Sequence, residues 1–231
     1  LLISRCTEGD TYLLAAVVIS DVYGIVDCFG FYNISKDELS RIITKFYSSE
    51  GKYRVSPEYV KSRINIAIQL TISNKYTFPY EFICWNTLIH DINPLTASVS
   101  DIVKEIVEPV EISRDDFLNF LTKEYFFRWY IRPQESSVLQ FVIDEIYKKD
   151  DLTIEFVNDI IKSNTSELFD DFVWNIWCER IYQCIYLLYH NSKQKDASGL
   201  LYALNSEKLM TTFKHVLFQR SIFKYFTSLK E

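Results

Sequence analysis

The chain has 231 residues, 48% of them apolar and 16% aromatic, which is enough for a sizeable core and too much for a disordered segment. Its formal charge of −6 disfavours an undirected nucleic-acid binder. The five cysteines form no CxxC pair and leave one over, so reduced, mostly buried thiols and an intracellular, cytoplasmic setting are expected. The first residues are Leu1-Leu2 rather than methionine, as in a piece cut from a longer protein.

Residues 11–29 are almost wholly apolar and predict a buried first helix, bent near Gly24. Leu13 to Ile19 is no signal peptide, because Glu8 and Asp10 stand where positive charge is needed. It is also too short to cross a membrane. Ile34-Ser35-Lys36-Asp37-Glu38-Leu39 then marks a helix start. Ser35 can cap the N-terminus, Glu38 can reach back to the Ser35 N–H, and Ile34 can staple to Leu39.

The helix it opens, 36–48, carries Leu39, Ile42, Ile43 and Phe46 on one stripe. Ser56-Pro57 opens the next, over 57–72, with Val60, Ile64, Ala67 and Ile68 at the same spacing. Residues 80–91 suit either a helix or a short strand. Asn93-Pro94 through Ser100 has the composition of a boundary.

A short helix is expected over 100–107 and is stopped by Pro109. Ser113-Arg114-Asp115-Asp116 repeats the capping pattern, and looser copies stand at Thr153, Thr165 and Asn205. Helices are predicted at 114–131, 134–149, 154–162, 166–190, 197–204 and 206–229. Short links between them predict an all-α fold: an irregular multi-helix bundle or a degenerate HEAT-like α-solenoid of about ten helices. The caps are unevenly spaced, which disfavours a regular TPR or ankyrin array. The whole of 1–231 reads as one helical unit with an internal boundary near 92–99.

No group of residues forms a strong chemical motif. Glu167 and Asp171, on the predicted helix 166–190, could pair on one face, with Asp170 and Glu179 nearby. Acids also gather in a first turn simply to complement the helix dipole. His90, His190 and His215 lack metal-ligand spacing, and His90-Asp91 alone is too little for a phosphohydrolase site. The five glycines never group into a phosphate-binding loop. The sequence therefore calls for no catalytic residue, no metal and no cofactor.

Aromatic runs at Tyr125 to Tyr130 and from Phe169 to Tyr189 fit core packing, with any surplus serving a protein-binding surface. Residues 36–75 carry eight basic side chains against four acids, whereas 91–116 carry seven acids against two bases. The first of these could make residues 11–90 a winged-helix-like DNA-binding module. Its third helix, 57–72, would enter a major groove with Lys61 and Arg63, and Lys52 and Arg54 ahead of it would be further nucleic-acid contacts.

Leu13-Leu14-Ala15-Ala16, the stretch Asp21 to Asp27 and Ser35 to Ile43 together resemble the TerB family of helical domains. The chain departs from that pattern at Val22-Tyr23 and by the extra residues Cys28 to Asn33, and the likeness assigns no family. The expectation is a non-catalytic helical protein–protein interaction or scaffold domain within a larger protein or complex. Its partner would be a protein, with nucleic acid second and no membrane.

Overall fold

A computed structural model describes residues 1–7, 9–46, 53–123, 126, 129–133, 136–149, 151 and 153–228. It divides into two compact units, Leu1–Ser98 and Val99–Glu231.

The first unit corrects the expected fold class. Residues 11–29 form no helix. Strands β1 (Leu2–Cys6), β2 (Tyr12–Ser20) and β3 (Gly24–Ile34) make an antiparallel sheet in the order β1-β2-β3. With 63% helix and 12% strand among the described residues the fold is mixed α/β, not an all-α bundle or α-solenoid. The turn residues Gly9 and Asp10, at φ +94° and +58°, join β1 to β2, and Gly24 at φ +85° opens β3.

The helical misreading has a physical origin. Ala15, Val17, Ile25 and Cys28 pack on helix α2 (Pro57–Ser73) and helix α3 (Tyr80–Trp85), which runs into a 3-10 turn at Asn86–Ile89. On the other face Leu14 and Ile34 pack on Leu39 of α1 (Lys36–Phe46). Leu14 to Val17 are all buried, so the run shows no alternation. β-Branched Val17, Val18 and Ile19 were the remaining strand signal. The residues that resemble TerB fall in β2, β3 and α1, so that likeness to a helical family is overturned. The first of the three helices in the winged-helix reading, 11–29, is likewise strand, so that trio is not formed.

Three polar contacts fix the β2–β3 turn to α2. Arg63 donates to Asp21 at 2.6 Å, and Asn74 donates to the Val22 carbonyl at 2.8 Å. The buried Thr71 hydroxyl accepts from Ile25 N–H and donates to the Ala67 carbonyl, both at 2.8 Å.

The second unit contains helices α4 (Val99–Ile106), α5 (Arg114–Leu121), α6 (Ser137–Tyr147), α7 (Ile154–Leu168), α8 (Asp171–His190), α9 (Gln194–Leu204) and α10 (Glu207–Ser228). Helix α8 is buried through Trp177, Ile181, Ile185 and Leu188 and packs on α4 and α9.

The helix expected over 114–131 ends at Leu121. Residues 124, 125, 127 and 128 of that expectation lie outside the described residues, and side chains of α10 bond the backbone on either side: Arg220 donates to the carbonyls of Phe126, at 2.9 Å, and Leu121. Ser221 accepts from Ile131 N–H at 2.8 Å. The helix expected over 166–190 is two helices, because Phe169 leaves the helical region and Asp170 caps α8, accepting from Val173 N–H at 2.8 Å. Among the described residues no helix is long and apolar enough to cross a membrane.

Candidate functional site

The residues singled out from the sequence do not converge. Glu167 and Asp171 lie on different helices, α7 and α8, so the shared face expected of them does not exist. His90 is an exposed residue of the first unit. Among the described residues no three His, Cys, Asp or Glu side chains come together as a metal site would require. Of the basic candidates, Lys52 lies outside the described residues, Arg54 is exposed and Lys61 is half-buried. Arg63 is only 8% exposed, and its guanidinium is held by Asp21.

Tyr125 and Phe127 of the aromatic runs lie outside the described residues; of the rest, Phe126, Phe169, Trp177 and Tyr186 are buried, Phe172 is exposed and the others are half-buried. Trp177 is buried against Trp129, with ring centroids 5.6 Å apart, and against Phe213 at 6.3 Å. The cations there are part of the packing: Arg180 sits 4.5 Å over the Trp177 ring and Lys214 sits 4.1 Å over Trp174. His215 follows Lys214 on α10, and burial lowers its pKa.

A bare apolar groove lies between α6, α7 and α10 of the second unit. Its volume is about 440 Å³, towards the lower end of the roughly 300–1,000 Å³ of ligand clefts. Ile154, Val157 and Ile161 recur along α7 at i, i+3 and i+7, and Ile222, Phe223 and Phe226 run along α10. Ile146 of α6 forms part of the lining. Ile154 is 81% exposed and Phe223 71%, which is unusual for side chains of this size set side by side.

The groove also has a small polar element. Gln219 of α10 donates to Asn158 of α7 at 3.1 Å, tying the two walls together. Thr153 marks the start of α7, where its hydroxyl accepts from Phe156 N–H at 3.1 Å. This arrangement holds apolar side chains ready for contact and presents no nucleophile or acid–base pair. Sequence reasoning, which gave 154–162 and 206–229 only as helices, missed it. Periodicity shows which face of a helix is apolar, but not whether another element covers it.

No protein-family model matches the chain, and none of the curated proteins or solved structures is significantly similar to it.

Proposed function

We propose that the chain is a non-catalytic interaction module that binds a protein partner inside the cell. The exposed apolar groove between α6, α7 and α10 carries this reading, because contiguous bare apolar surface of this kind marks docking sites in monomeric proteins. The cysteines, all free thiols, support an intracellular setting.

The test is a stoichiometric pull-down from nuclease-treated and untreated lysate. It compares the native chain with an Ile154→Glu, Phe223→Glu variant. Both positions are exposed, so the variant should keep the native urea midpoint. The expected result is one protein retained through nuclease treatment and lost from the variant. Retention of the same protein by the variant would refute the reading, as would capture of nucleic acid alone.

A further inference from the structure

The first unit carries a second surface of different chemistry at the outer edge of β1. β1 and β2 keep a single register, from Leu2 opposite Ala16 to Cys6 opposite Tyr12. Val17 N–H donates to the Leu1 carbonyl at 2.9 Å, and Thr7 N–H donates to the Thr11 carbonyl at 2.8 Å. Bonded residues alternate along an antiparallel ladder, so Ile3 and Arg5 also face β2. Leu2, Ser4 and Cys6 therefore turn their N–H and C=O groups outward.

Among the described residues no strand pairs with that side. The two edges of the sheet differ. The β2–β3 pairing shifts register twice, and β3 packs along α2 and α3. β1 has no register shift and no proline, the usual devices that protect an edge. Its one charged residue, Arg5, is paired with Asp91 at 3.3 Å. A groove of about 340 Å³ runs beside the strand, with Leu2 and Ser4 on one side and Val55, Val60, Leu88 and Ile92 on the other.

We propose that this edge binds an extended peptide segment of a partner protein, which joins the sheet as a further strand beside β1. The outward backbone groups specify the occupant. A helix satisfies its own N–H and C=O groups internally, whereas an extended segment presents them at the spacing of Leu2, Ser4 and Cys6. Side chains alternate along such a segment, so every second one turns towards Val55, Val60, Leu88 and Ile92, which favour apolar, β-branched residues. Arg5 and Asp91 leave the lip without net charge, so affinity should change little with salt. This site is separate from the helical groove, and either can fail without the other.

The probe is a short fluorescein-labelled peptide of alternating threonine and valine. Two further copies carry N-methyl groups on the valine amides or on the threonine amides. Only one alternate set of amides can face β1, so one methylated copy should bind about tenfold more weakly or worse, and the other should bind as the parent does. Bound parent peptide should slow hydrogen exchange at the Ser4 and Cys6 amides. Ser4→Pro, which removes an outward N–H and leaves the Ile3 and Arg5 bonds to β2, should weaken binding comparably. No saturable binding, equal behaviour of the two methylated copies, or unprotected Ser4 and Cys6 amides would overturn the proposal.

Discussion

Thr71 satisfies two backbone groups with one hydroxyl, at the point where the β2–β3 turn meets α2. Replacing it by valine keeps the shape but leaves the Ile25 N–H buried without a partner. Thr71→Val should therefore cost about 1–3 kcal/mol in urea unfolding. Gly24 stands against the same contact. A Cβ there would meet the Thr71 side chain and lie 2.6 Å from the Thr71 backbone nitrogen, at a φ of +85°. Gly24→Ala should cost at least about 2 kcal/mol, because backbone strain and overpacking act together.

Two thiols give a pH signature at the same scale. Burial, then Asp27 and Glu81, pushes Cys28 up to about 11. Burial, with Asp196 adding to it, pushes Cys184 up to about 12. Unfolded thiols ionise near 9.0, so above that pH the unfolded chain has lost protons that the folded chain keeps. Stability from these groups is full below pH 9.0 and declines as pH rises towards 11 and 12. Urea midpoints should fall between pH about 8 and about 10, and fall less in a Cys28→Ala, Cys184→Ala variant. An identical slope in the variant would remove the thiols as the cause.

At the scale of the element, caps separate positions that look alike in sequence. Ser35 N–H donates to Glu38 at 2.8 Å, and Glu38 N–H donates back to the Ser35 hydroxyl at 3.3 Å, so the box closes reciprocally. The Ser35 N–H bond and a second one, donated to the carboxylate by the Ser35 hydroxyl at 2.8 Å, hold the Glu38 carboxyl below its ordinary range. Asp116 N–H donates to Ser113 at 3.1 Å. Thr165, by contrast, lies inside α7, and its hydroxyl donates back to the Ile161 carbonyl at 2.6 Å. Ser35→Ala, Ser113→Ala and Asp170→Ala should each cost about 0.5–2 kcal/mol in urea unfolding. Thr165→Ala should be neutral or slightly stabilising, since it relieves a bond that competes with the helix and restores a better helix former.

The same contrast explains what could be read from the chain beforehand. The starts of α1, α2, α5 and α7 were legible, because a cap needs only a local pattern of residues. The sheet was not, because Leu14 to Val17 are covered from both faces and the period of two disappears. The groove on α7 and α10 was hidden for the converse reason: Ile154 and Phe223 keep the helical spacing of core residues while lying bare. Both failures concern which element lies over a residue, and that information is spread along the chain rather than held in any window of it.

On the scale of the whole molecule, each unit carries a core of its own. Ala15, Ile64 and Ile89 anchor the first, while Phe117, Ile143, Ile181 and Phe218 anchor the second. Residues 1–98 and 99–231 are both long enough to bury a stable core without help from the other. Made separately, each should refold and lose structure in a single cooperative urea transition. Trp177 then distinguishes two independent cores from one shared core. It is 3% exposed and stacked among Trp129, Phe213 and Arg180, so Trp177→Ala should cost about 3–5 kcal/mol in the 99–231 fragment. In the full chain the same substitution should lower one transition and leave the other at the midpoint of the isolated 1–98 fragment. A fragment that shows no transition, or a full chain in which both transitions move together, would show that neither core is complete without the other.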